Sequence, residues 1–133
     1  MEAARKHALI VDDEPDIREL LEITLGRMAI DTSVAADLAA ARALLESNEF
    51  DLCLTDMHLP DGNGLELVNH IAELKPGLPV AVITACGSME TAISALKAGA
   101  FDLVQTPVDL EQLRSMVDPA VKITPSTDAA AAR

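Results

Sequence analysis

Two patterns of hydrophobic residues alternate along this chain. Short continuous runs rich in Val, Leu, Ile and Ala predict five strands, at residues 8–12, 32–36, 52–55, 80–83 and 101–105. Between these runs, apolar residues recur every three or four positions and predict five helices, which begin near Pro15, Asp37, Gly64, Ser88 and Asp109. Strands that alternate with helices favour a parallel sheet covered on both faces, which is an α/β fold.

Local signals set the predicted helix boundaries. Ser88 is suited to cap the fourth helix. The third helix, residues 64–75, is predicted to turn Leu74 toward the core. Pro119 disfavours helical backbone at Asp118, so the last helix is predicted to break or restart there.

The length of 133 residues fits one domain. We predict a flavodoxin-like, doubly wound parallel sheet of five strands in the order 2-1-3-4-5, with five helices around it. Residues 1–123 would form this domain. Residues 124–133 have the composition of a linker or a disordered tail.

Composition excludes several classes of function. The formal net charge of −12 repels phosphate backbones, so direct nucleic-acid binding by this domain is not expected. No apolar run approaches the roughly 18 residues that span a bilayer, and no signal-peptide pattern is seen, so a cytoplasmic location without membrane contact is expected. The two cysteines form neither a disulfide framework nor a zinc pattern.

Acidic residues end two of the predicted strands. Asp12 and Asp13 follow the first strand, Asp56 follows the third, and Thr84 ends the fourth. Ligands of open parallel sheets bind at the carboxyl ends of the strands, and Mg²⁺ prefers oxygen ligands. Asp13, Asp56 and a backbone carbonyl near His58 are therefore candidate metal ligands. Taken alone, the acids after the first strand are equally well explained as favourable charges at a helix start.

Four segments that contain these residues resemble the receiver domains of bacterial two-component response regulators. They are residues 10–14 (IVDDE), 51–62 (DLCLTDMHLPDG), 82–85 (VITA) and 95–102 (ALKAGAFD). The resemblance covers residues 8–117 and implies the CheY-like form of the fold. It is strongest to the receivers of NtrC-type activators of sigma-54 promoters, and among these to PilR-like regulators of pilus genes.

The resemblance implies a signalling module rather than an enzyme. A histidine kinase would transfer a phosphoryl group to Asp56. Mg²⁺ would be bound by Asp12, Asp13, Asp56 and the backbone carbonyl of His58, and the Thr84 hydroxyl would turn toward the phosphoryl group as a switch. The response would regulate an attached or partner output domain in transcription. A homodimer through the fourth helix, fifth strand and fifth helix is a further expectation.

Two residues depart from the family pattern. Thr106 occupies the position that is usually lysine, and Leu103 the position that is usually aromatic. The family pattern also predicts a cis peptide bond between Thr106 and Pro107. These departures leave open an alternative function, a degenerate receiver that acts as a dimerisation or interaction module without phosphorylation.

Two enzymatic or redox functions are less favoured. Magnesium-dependent phosphatases with a strand-end aspartate nucleophile usually carry a second acid two residues later, where this chain has His58. A flavin-binding protein of this fold would be expected to flank the ring with Trp or Tyr, and the sequence contains neither.

Overall fold

The computed structural model describes residues 6–85, 89–106 and 108–122. The predicted cap at Ser88, the predicted cis bond before Pro107 and the predicted tail lie outside these residues. Within the described part of the chain, no helix combines the length and hydrophobicity needed to cross a bilayer.

Five strands and five helices alternate, as the hydrophobic pattern predicts. The strands are β1 (Lys6–Val11), β2 (Ile30–Ala35), β3 (Leu52–Asp56), β4 (Val80–Thr84) and β5 (Asp102–Gln105). The helices are α1 (Pro15–Arg27), α2 (Leu38–Ser47), α3 (Gly64–Leu74), α4 (Met89–Ala98) and α5 (Leu110–Lys122). A small antiparallel pairing of His58–Leu59 with Gly62–Asn63 lies in the loop between β3 and α3.

The strands form one parallel sheet in the order β2-β1-β3-β4-β5, which confirms the predicted flavodoxin-like topology. Alternate side chains of each strand enter two separate cores. Ile10 and Leu54 pack in the core beneath α1 and α5, whereas Val11 and Cys53 pack in the core beneath α2, α3 and α4. Strand order reverses between β1 and β3, so the carboxyl ends of these two strands border a crevice.

Two predicted helix features are wrong. Helix α5 continues through Pro119 instead of breaking at Asp118, because Ala120 and Val121 bury their side chains against the core and hold the last turn. The prediction that Leu74 faces inward is wrong, because this last residue of α3 borders a surface groove beside Leu45 and Lys75. Its side chain is 62% exposed.

Candidate functional site

Three carboxylates meet at the crevice between β1 and β3. Asp12 and Asp13 directly follow β1, and Asp56 is the last residue of β3. One carboxylate oxygen from each residue lies within 4.8 Å of the other two. Parallel strands paired in register bring these acids together, since Val11 of β1 is opposite Thr55 of β3.

The Asp12 carboxylate is buried and held in place by the chain that follows it. Its Oδ1 accepts a hydrogen bond of 2.9 Å from the backbone N–H of Glu14. The Arg18 guanidinium donates to the backbone carbonyl of Asp12 at 2.8 Å, which fixes the turn into α1. The pKa of Asp12 is raised to about 6, mainly by burial and partly by the negative charges of Asp56 and Asp13, while the hydrogen bond from Glu14 lowers it.

Asp56 is half-buried at the end of its strand. Burial is the main cause of its raised pKa, and the negative charge of Asp13 acts in the same direction. The backbone N–H groups of His58 and Met57 partly oppose this shift. The cluster therefore concentrates negative charge that its own surroundings do not neutralise.

The donor set of this cluster fits Mg²⁺. An octahedral ion with oxygen ligands at about 2.1 Å needs adjacent oxygens about 3.0 Å apart and opposite oxygens about 4.2 Å apart. The limit of 4.8 Å among the three carboxylate oxygens is slightly wider than this, so small side-chain movements would bring them to the spacing of the ion's ligands. A divalent cation would also offset the repulsion among the acids, which adds to the effect of burial on their pKa values.

The acids line an open pocket of about 320 Å³. His58 and Thr106 lie on its wall, as does Glu14, whose place in the pocket was not predicted. Thr84 is only 1% exposed and is not on this wall; its backbone carbonyl accepts a 2.9 Å hydrogen bond from the N–H of Thr106. Thr84 instead lines a neighbouring pocket that shares His58 with the acidic one, so the predicted residues occupy adjacent positions.

A larger cavity of about 390 Å³ lies at the other edge of the sheet, before the first residues of β4 and β5. Its wall is formed mainly by apolar side chains, among them Leu78, Phe101 and Met116, and none of the described residues on it is titratable.

A family profile described as response regulator receiver domain matches residues 8–118. The chain belongs to this family. The receiver fold, the acidic crevice and the four sequence segments thus agree with one another, and the family is a signalling module.

Similar proteins place this receiver among the NtrC-type regulators. The response regulator protein PilR of Pseudomonas aeruginosa is 62% identical over 120 residues, which cover 90% of this chain and 27% of PilR. NtrC of Azospirillum brasilense is 32% identical over 113 residues, which cover 85% of this chain and 24% of NtrC. The resemblance to NtrC-type and PilR-like receivers is confirmed. The chain spans about a quarter of the length of these relatives.

Solved receiver structures share the fold. The solution structure of a beryllofluoride-activated NtrC4 receiver domain dimer has a TM-score of 0.83 and 30% identity, and the match covers 87% of this chain and 96% of that chain. The two departures seen in the sequence keep their positions in the receiver fold: Leu103 is half-buried in β5, and Thr106 follows that strand at the pocket wall.

Proposed function

We propose that this receiver accepts a phosphoryl group on Asp56 from a histidine kinase in the cytoplasm, and that the modified domain regulates a transcriptional output. Asp12, Asp13, Asp56 and the backbone carbonyl of His58 would hold Mg²⁺. The observation that carries this proposal is the convergence of three carboxylate oxygens within 4.8 Å at the crevice. Membership of the receiver family supports phosphoryl chemistry at this pocket.

The transfer exchanges one bond to phosphorus for another. A carboxylate oxygen of Asp56 attacks the phosphorus of a phosphohistidine, a P–O bond forms, and the P–N bond breaks. The departing imidazole nitrogen keeps the electron pair of that bond and takes up a proton. The acid cluster would hold Mg²⁺, whose charge would offset the carboxylates and the phosphoryl oxygens. The half-buried position of Asp56 leaves an oxygen available to the donor.

Two threonines would contact the transferred group. Thr84 is buried at the wall of the neighbouring pocket, and rotation about its χ1 would bring its hydroxyl toward a phosphoryl oxygen. Thr106 lies on the pocket wall and offers a neutral hydroxyl where the family usually has a lysine. A neutral hydrogen bond is roughly half as strong as a charge-assisted one, so we expect phosphorylation with a small conformational response.

Intact-mass measurement tests the acceptor role. The chain is treated with acetyl phosphate in the presence of Mg²⁺, and in parallel with a chelator. We expect the mass of one phosphoryl group to be gained only with Mg²⁺, and no gain in Asp56→Asn. The same gain in both proteins would refute the assignment of Asp56.

The alternative of a phosphorylation-independent interaction module receives no support from the similar proteins, and the acid cluster opposes it.

Dimerisation can accompany phosphorylation. Ile93 and Leu96 of α4 are 44% and 52% exposed, and Phe101 next to β5 is 39% exposed. We propose that this face forms the homodimer. Light scattering should then show that Leu96→Glu lowers the dimer fraction of the phosphorylated protein without changing its mass gain.

A further inference from the structure

Asp61 connects the loop after β3 to a helix elsewhere in the fold. Its Oδ1 accepts a 2.8 Å hydrogen bond from the backbone N–H of Leu38, and its Oδ2 accepts one of 3.1 Å from Ala39. These two residues open α2. The carboxylate is thus bidentate on the first turn of a helix that precedes it by more than twenty residues.

Helix α2 already has its own cap. The Oδ1 of Asp37 accepts from the N–H of Ala40 at 2.8 Å. Ala39 is exposed, so water could satisfy its N–H if Asp61 were absent, but Leu38 is only 2% exposed and its N–H relies on Asp61. Asp61 therefore completes the cap that Asp37 begins. The same contact fixes the position of the loop that carries Asp61.

That loop is short and closely packed, and it includes His58. The backbone of His58 pairs with Asn63, and that of Leu59 pairs with Gly62. A Cβ at Gly62 would lie 2.5 Å from Leu38 Cδ1, so the loop lies directly against the first side chain of α2. Movement of the loop away from α2 would carry the His58 carbonyl with it.

We propose that Asp61 is a positioning residue, which holds the loop on α2 so that the His58 carbonyl faces the ion bound by the acid cluster. This inference rests on the proposed function, because it requires Mg²⁺ at the cluster. The coupling is reciprocal: if the loop contact favours metal binding, metal binding must tighten the loop contact by the same free energy. The amides of Leu38 and Ala39 then report on the metal site.

Hydrogen exchange in the unmodified chain gives the first test. Saturating Mg²⁺ should slow exchange at Leu38 and Ala39 by about three- to tenfold, which corresponds to a modest coupling energy. The amide of Ala40 is the internal reference, because it bonds to Asp37 and not to the loop. Equal slowing at all three amides would indicate general tightening of α2 and would overturn the proposal.

A pair of matched variants gives the second test. Asp61→Ala and Asp37→Ala each remove a carboxylate from the same helix end, but only Asp61 belongs to the loop. We expect the Kd for Mg²⁺ to rise about tenfold in Asp61→Ala, the low end of the cost of losing a supporting contact at a metal site. Asp37→Ala should stay within about twofold of the original Kd.

Other results would distinguish a failure of the positioning role of Asp61 from a failure of the Mg²⁺ site. Asp61→Asn keeps one acceptor oxygen and should show a smaller rise in Kd, which preserves a test if Asp61→Ala unfolds. An equal rise in Asp61→Ala and Asp37→Ala, or none in either, would refute the positioning role while leaving the metal site intact. If the unmodified chain binds no Mg²⁺, the proposed function itself fails, and the positioning role fails with it.

Discussion

Replacing Gly64 with alanine would press a methyl group into the backbone of the proposed phosphoacceptor. Gly64 is the first residue of α3, and its N–H donates to the carbonyl of Met57 at 2.7 Å. A Cβ there would overlap the carbonyl oxygen of Asp56. It would also lie 3.0 Å from the carbonyl carbon of Asp56 and 3.2 Å from the Cα of Met57. All three atoms belong to the backbone, so rotation of a side chain cannot relieve the clash.

The cost follows from these contacts. Overpacking of this kind costs about 1–3 kcal/mol, and weakening the hydrogen bond between Gly64 and Met57 adds about 1 kcal/mol. The expected loss of about 2–4 kcal/mol corresponds to a fall in Tm of roughly 6–20 °C for a domain of this size. Relief of the clash needs a backbone shift near 1 Å at Asp56, which can slow phosphoryl transfer about 100-fold.

Gly26→Ala is the matched control. Nothing lies within 4 Å of a Cβ built at Gly26, which is an exposed residue in the last turn of α1. Alanine there should stabilise the helix by about 0.5–1 kcal/mol and leave the phosphorylation rate unchanged. The assay combines thermal unfolding with the rate of mass gain from acetyl phosphate. If Gly64→Ala matched the original chain in both measurements, the close approach of α3 to Asp56 would be wrong.

Three further predictions follow from single contacts. Thr106→Lys should weaken Mg²⁺ binding, because it adds a positive charge beside the acids. It should also enlarge the change in amide exchange that phosphorylation causes around α4 and α5, because lysine binds a phosphoryl oxygen more strongly than threonine does. If that change were not larger, Thr106 would not be the cause of a small response. Pro119→Ala should raise Tm by about 3–8 °C in thermal unfolding, because it restores the helical N–H that proline lacks, and an unchanged Tm would show that α5 carries no penalty there. The N–H of Leu38 is the main cause that lowers the pKa of Asp61, so this carboxylate stabilises the fold above about pH 4 and the contribution is lost as pH falls through the lowered pKa. Asp61→Asn should therefore flatten the acid limb of a plot of Tm against pH, and an unchanged limb would contradict this assignment.

The sheet could be predicted from the sequence because strand signals here are local. The runs at residues 52–54 and 80–83 are apolar on every side chain, as is typical of strands buried on both faces, and they lie in the interior of the sheet. The continuity of α5 and the turn before β2 depend on tertiary packing and could not be predicted from local sequence. Pro119 is tolerated because burial of the next two residues outweighs its helix penalty. Ala29 turns the chain into β2 with φ of 65°, although no glycine marks that turn.

The residues of the site were also predictable only in part from the sequence. Asp12, Asp13 and Asp56 could be placed together because the carboxyl ends of parallel strands share an edge, whatever the exact strand lengths. The contact of Asp61 could not be predicted, because it joins a loop to the first residue of α2, and their approach depends on how α2 packs against the sheet. In the sequence Asp61 is simply an acid in a turn, and only the folded chain shows its bidentate contact.

Threonine in place of the usual lysine at position 106 should have opposite effects on Mg²⁺ binding and on retention of the phosphoryl group. Among the described residues on the pocket wall, His58 is the only side chain that can carry positive charge. With Mg²⁺ and a phosphoryl group bound, Asp12, Asp13, the ion and the phosphoryl sum to a charge of about −2, which a lysine would halve. Before phosphorylation, the lack of that lysine favours the cation. After it, the excess charge opposes retention of the phosphoryl group, so the same residue that strengthens Mg²⁺ binding should shorten the lifetime of the phosphorylated state.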